Sequence, residues 1–220
     1  MFAGPNGSGK TTLTNIYRAD CYEFGTYVNP DVVSAFMRDT ASSLTQADTD
    51  EPAQRAAISE REQLLAKRKS LTYETVFSHP SHLHYMARAR EAGYQVRLVF
   101  VGMASPEVCI ARVAQRVVTG GHDVPPEKVR ERYFKSIGNL LAGLRIANDA
   151  HVYDNTIEPV VVAEKTGGRL SLITDRDWFR ALVIGPMAGE QDLDPDVRVL
   201  RLSPPLTTAE TAQLVEAADV

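Results

Sequence analysis

Eight consecutive residues near the start of the chain, Gly4, Pro5, Asn6, Gly7, Ser8, Gly9, Lys10 and Thr11, satisfy every fixed position of the pattern G-x-x-x-x-G-K-[ST]. That spacing is suited to holding phosphate. Glycines allow successive backbone N–H groups to turn inward onto phosphate oxygens, and a helix starting at Lys10 adds the positive end of its dipole. Lys10 is expected to reach the β and γ phosphates, the Thr11 hydroxyl to bind magnesium, and Thr12 to extend the nucleotide contact. A nucleoside triphosphate with Mg2+ is the ligand this chemistry implies.

A phosphate loop is shared by kinases, motors and GTPases, so a second set of residues must decide between them. The most apolar strand candidate, Val96 to Val101, runs into Gly102 and not into an aspartate, and no N-K-x-D motif for guanine is present. Acids instead follow two other strand candidates. Asp31 comes after Tyr27, Val28, Asn29 and Pro30, and Glu74 after Leu71, Thr72 and Tyr73. Strand C-termini of an open α/β sheet face the ligand crevice. A kinase needs a carboxylate to orient or deprotonate its acceptor hydroxyl, together with arginines that neutralise the transferred phosphoryl group. Asp31 is the candidate base, its alternative role being the N-terminal cap of a helix. Thr75 and Ser78 add hydroxyls beside Glu74. Arg112, Arg116, Arg130 and Arg132 flank a Gly120-Gly121-His122 loop in the manner of a hinged lid. A different reading is an ATP-dependent conformational switch acting through a protein partner, with Glu74 positioning a water. His79, His82 and His84 have no standard zinc spacing and read as surface residues at a helix start.

Around these residues the chain alternates short apolar strands with helices, which predicts an α/β fold built on a doubly wound, mostly parallel sheet flanked by helices. Only Met1 to Ala3 precede the phosphate loop, so the first strand must be short. Helices are expected over 10–24, 30–39, 51–69, 81–92, 106–118, 126–148, 175–182 and 208–218. Strands are expected over 26–29, 71–74, 95–101 and 151–154, with a hairpin of 160–163 and 170–174 turning at Gly167 and Gly168. One kinase domain over 1–184, with a lid around 112–132, would be followed by an appendage over 185–220, since 220 residues suffice for one substantial core. The net charge of −4 gives no footprint for nucleic acid or for an anionic membrane. The two cysteines, Cys21 and Cys109, show no metal or disulfide spacing, and a reducing, cytoplasmic setting is expected.

The chain resembles the zeta-toxin-like P-loop kinases, in the small branch labelled predicted ABC-type ATPases. The resemblance is carried by Phe2 to Thr12, by Asn29, Pro30 and Asp31, by Tyr73, Glu74, Thr75, Phe77 and Ser78, and by Gly93, Tyr94, Val96, Leu98, Phe100, Val101 and Gly102. It continues through Arg112, Val113, Arg116, Gly120, Gly121, His122, Val124 and Pro125 to Arg132, Tyr133, Ser136, Asn139, Tyr153, Asp154 and Asn155. It implies transfer of phosphate from ATP to the sugar 3′-hydroxyl of a UDP-activated amino sugar, as in a UDP-N-acetylglucosamine kinase. By the same resemblance Asp31 is the base, Asn29, Glu74, Thr75, Ser78 and His122 hold the substrate, and Arg116 and Arg132 act with Lys10 on the transferred phosphoryl group. Arg112 is a reserve for that role, while Asp154 and Asn155 lie near the nucleotide base. An antitoxin protein is the partner such a family implies.

Overall fold

The computed structural model describes residues 1–20, 24–41, 43–188, 199–201 and 206–218. Cys21, the end expected for the first helix, and Asp192, Asp194 and Asp196 lie outside them. The chain divides into two units, one formed by Met1–Lys10 with Thr75–Val220 and the other by Thr11–Glu74.

The first unit is an α/β layer whose parallel strands carry the phosphate loop. Strand β1 (Phe2–Ala3) pairs in parallel with β4 (Arg97–Gly102), Phe2 lying opposite Val99, and β4 pairs in parallel with β5 (Asp149–Asp154). Although β1 has only two residues, Val99 donates to Met1 O at 2.9 Å and extends the ladder by one bond. Beyond β5 the direction reverses. β6 (Val160–Thr166) and β7 (Arg169–Leu172) add antiparallel, and β8 (Val199–Arg201) pairs antiparallel with β7. The links from β5 to β6 and from β6 to β7 are too short for the dozen or more residues a parallel crossover needs. The antiparallel share is therefore larger than the sequence pattern suggests. The predicted hairpin turns where expected, with Gly167 and Gly168 at φ 56° and 80°, conformations that a two-residue type I′ turn requires.

Helices α4 (Ser81–Glu91), α5 (Pro106–Val118), α6 (Pro126–Gly138) and α7 (Leu140–Ile146) belong to the same unit. Leu98 and Phe100 of β4, Val152 of β5, and Leu140, Leu144 and Ile146 of α7 are buried in one apolar cluster. Each such side chain contributes about 1.5–3 kcal/mol on leaving water. The single helix expected over 126–148 is interrupted at Asn139, whose side-chain amide donates to Phe77 O at 2.9 Å. Phe77 needs that support: fully buried, it has φ 63°, and its N–H is held by Thr75 Oγ1 at 3.0 Å. A bulky residue in the left-handed region carries local strain that its surroundings must hold. Lys165 is also buried, its ammonium donating to the carbonyl of Ala147 at the end of α7, and burial pushes its pKa down to about 8.

After β7 come α8 (Asp177–Phe179), a π-helical turn over Arg180–Ile184 and α9 (Gly185–Ala188). Trp178 of α8 explains why β4 ends in glycine: a Cβ on Gly102 would lie 2.3 Å from the indole Cη2. Gly102→Ala is expected to displace the ring and cost about 1–3 kcal/mol by overpacking. The check is a urea titration followed by the fluorescence of Trp178, the one tryptophan in the chain. In the last helix, α10 (Thr208–Ala218), the Thr208 N–H donates to Glu91 of α4 at 2.9 Å.

In the second unit, α1 (Lys10–Ala19) leads to β2 (Thr26–Val28), α2 (Pro30–Thr40), α3 (Gln46–Ala66) and β3 (Leu71–Thr75), and β2 pairs in parallel with β3. α3 starts earlier than the sequence pattern predicts. Asp48 accepts the Thr45 N–H at 2.8 Å and the Thr45 hydroxyl at 2.6 Å, a cap that sets the start ahead of Pro52. Ser34 of α2 and Thr49 of α3, both buried, share a hydrogen bond of 2.7 Å, and Arg38 donates to Ser34 at 2.6 Å.

Candidate active site

The phosphate loop of the first unit is built on three glycines with positive φ, Gly4 at 143°, Gly7 at 76° and Gly9 at 88°. Other residues would be both strained and blocked there. A Cβ on Gly4 would meet Val101 O at 2.2 Å, and one on Gly7 would meet Cys109 O at 2.7 Å. Lys10 arches over the loop, its ammonium donating to Gly4 O and Pro5 O at 2.9 Å each. Ser8 is fully buried, and neither its hydroxyl nor the side-chain oxygen of Asn6 meets a hydrogen-bond partner among the described residues. Buried polar atoms without partners carry a desolvation cost of about 1–3 kcal/mol each. Of the two, the Ser8 hydroxyl can donate to a phosphate oxygen, which suits a glycine arch beside a lysine; the Asn6 oxygen only accepts and gains nothing from phosphate.

Asn155 closes the loop from the other side. Its amide donates to Ser8 O at 2.8 Å, and a Cβ on Gly9 would stand 2.4 Å from that nitrogen. Asp154, its neighbour, is turned into the protein. One oxygen accepts the Thr156 N–H at 2.7 Å, and the other accepts Trp178 Nε1 and Arg176 Nε at 3.0 Å each.

The arginines of the expected lid occupy α5 and α6. Arg112 donates to Thr156 O at 3.1 Å. Arg116 spans the loop that follows its helix, donating to His122 O at 2.6 Å, while Gly120 turns at φ 84° and buried Val124 anchors the far side. Arg130 reaches Glu107 at 3.2 Å across α6 and α5; both partners are exposed, so the pair adds at most about 1 kcal/mol. Arg132 is half-exposed and forms no ion pair with a described residue. Of the acceptor-side candidates in this unit, Thr75 is buried, its hydroxyl shared between the Phe77 N–H and His82 Nε2, the latter at 2.8 Å. His79 accepts the Ser81 N–H at 3.1 Å, so both rings serve the start of α4.

In the second unit Thr11 donates to Glu74 Oε2 at 2.8 Å, and Tyr27 donates to Glu74 Oε1 at 2.6 Å. Asn29 Nδ2 donates to Tyr27 Oη at 2.9 Å, and Asn29 Oδ1 caps α2 by accepting the Asp31 N–H at 2.9 Å. The two readings of Asp31 are thereby separated: Asn29 is the cap, and the exposed Asp31 carboxylate takes no hydrogen bond from a described residue. Tyr27 was not singled out in the sequence. Burial, followed by the hydrogen bond to Glu74, raises its pKa well above the ordinary phenol value, so it stays a donor; Arg18 lies 5.2 Å over its ring. The Thr11 hydroxyl, at the [ST] position of the phosphate-loop pattern, thus has a carboxylate as its hydrogen-bond acceptor.

No helix among the described residues is long and apolar enough to cross a membrane. A protein of Haemophilus influenzae, described as uncharacterized, is 30% identical over 133 residues, 60% of this chain and 90% of that protein. Among solved structures, the AvrRxo1-ORF1:-ORF2 complex matches with a TM-score of 0.64 at 20% identity, over 98% of this chain and 74% of the other. The PezAT chromosomal toxin-antitoxin system of Streptococcus pneumoniae matches with a TM-score of 0.52 at 14% identity, over 72% of this chain and 68% of the other. At these identities the structural likeness is one of fold. The zeta toxin family model matches residues 1–167, three quarters of the chain and every residue of the phosphate loop, and the protein is therefore a member of the zeta toxin family.

Proposed function

We propose that this protein transfers the γ-phosphate of ATP to a hydroxyl of a UDP-activated amino sugar such as UDP-N-acetylglucosamine. The observation that carries the reading is the Asp31 carboxylate, exposed on the first turn of α2 and relieved of capping by Asn29. It acts as the base on the acceptor hydroxyl. Lys10 with Arg116 and Arg132 neutralises charge on the phosphoryl group in transit, and Arg112 and Asn155 help to hold the nucleotide. Asp154 serves the same end by fixing the segment that carries Asn155. Ser78 and His122 contact the acceptor, while Asn29, Glu74 and Thr75 set the strand ends from which it is held.

Thr11 and the loop residues fit a magnesium nucleotide: Oγ1 has its hydrogen committed to Glu74, which leaves its lone pairs for a cation. Thr11 would hold the ion, which would supply positive charge to offset that of the nucleotide phosphates. Membership of the family also supports an antitoxin protein as partner, and a cytoplasmic setting suits its substrates.

The test is a magnesium ATP reaction against a panel of UDP sugars, read by mass spectrometry. A UDP-N-acetylhexosamine gaining one phosphate is the expected product. A panel without product, from protein that binds ATP tightly, would overturn the assignment of the acceptor.

A further inference from the structure

A hydrogen-bonded chain runs through the second unit from Thr11 to the first turn of α2, by way of Glu74, Tyr27 and Asn29. The donors are fixed at every step. A backbone N–H can only donate, so Asn29 Oδ1 is the atom that faces Asp31, and its Nδ2 must donate to Tyr27 Oη. With its oxygen accepting, Tyr27 spends its single hydrogen on Glu74 Oε1. Glu74 is left with Oε2 for the Thr11 hydroxyl. The carboxylate is thus held at both oxygens, and the phenol that holds one of them is itself fixed by Asn29 and by Arg18 over its ring.

We infer that Tyr27 is a positioning residue for the magnesium nucleotide: its hydroxyl fixes Glu74 so that the Thr11 hydrogen is taken up and the Thr11 lone pairs are left for the cation. The inference rests on Thr11 being the magnesium ligand. Groups in such a position behind a metal ligand typically set metal affinity by about 10–100-fold, since they hold the ligand in one orientation.

Calorimetry with ATP, with and without magnesium and with no acceptor present, tests this in wild type, Tyr27→Phe, Glu74→Gln and the double variant. Tyr27→Phe is expected to bind metal-free ATP as wild type does and to lose about tenfold of the affinity that magnesium adds. In the Glu74→Gln background the same change should cost nothing further, because the phenol acts through the carboxylate. Equal losses with and without magnesium would mark Tyr27 as merely structural and overturn the inference. A magnesium gain matching wild type in Tyr27→Phe would overturn it while leaving the magnesium site intact. If wild type itself gains nothing from magnesium, Thr11 is no magnesium ligand and both statements fall. Should Tyr27→Phe not fold, Asn29→Ser, which keeps a capping oxygen but removes the donor to Tyr27, is read in the same way.

Discussion

Asp31→Asn is expected to lower phosphoryl transfer by about 10²–10⁴-fold, the usual contribution of a general base. Stability should hardly move. The carboxylate takes no hydrogen bond from a described residue, and the cap of α2 belongs to Asn29, so the substitution breaks no structural bond. It removes only a favourable charge at a helix N-terminus, about 0.3–1 kcal/mol at an exposed position. Parallel measurement of turnover and thermal melting separates the two. A variant with full turnover would show that Asp31 is not the base, and one that melts far below wild type would show that Asp31 also carries a structural duty.

The opposite signature is expected one strand end away, at Asp154→Ala. This buried carboxylate receives the Thr156 N–H, Trp178 Nε1 and Arg176 Nε, and so joins the end of β5 to α8. Removing it strands a buried indole N–H and a partly covered guanidinium, at a cost of about 2–4 kcal/mol. For a chain of this size that corresponds to a fall in melting temperature on the order of 10 °C. Nucleotide affinity, measured below the transition, should fall only modestly, as far as the loosened segment lets the Asn155 amide leave the phosphate loop. A large loss of ATP affinity with unchanged melting would instead make Asp154 a direct nucleotide ligand.

These two aspartates also show what can be read from the sequence and what cannot. The phosphate loop was legible because its spacing is a local backbone requirement: glycine is needed wherever φ is positive against a neighbouring carbonyl, as at Gly4 and Gly7. Asn29-Pro30 marked the start of α2, and Gly167-Gly168 the hairpin turn, for similar local reasons. Contacts between residues far apart in sequence were not legible. The helix expected over 126–148 is interrupted at Asn139, whose amide reaches Phe77, 62 residues away, and the missing acid at Gly102 follows from an indole arriving from α8. Asp154 drew attention as a strand-end acid, yet its partners Trp178 and Arg176 come from a later segment. Tyr27 gave only a faint signal, as a polar-tipped residue two positions before Asn29 and thus on the same side of an extended chain. Its importance depends on Glu74, 47 residues further on.

Counting products decides whether ATP is spent on an acceptor or on water. Formation of ADP is followed with and without UDP-N-acetylglucosamine, beside the phosphorylated acceptor measured by mass spectrometry. A kinase forms ADP only with acceptor present, makes one phosphorylated acceptor for each ADP and loses both in Asp31→Asn; that is the expected result. ADP released at the same rate without acceptor, surviving Asp31→Asn but lost in Glu74→Gln, would contradict it and identify a nucleotide-driven switch.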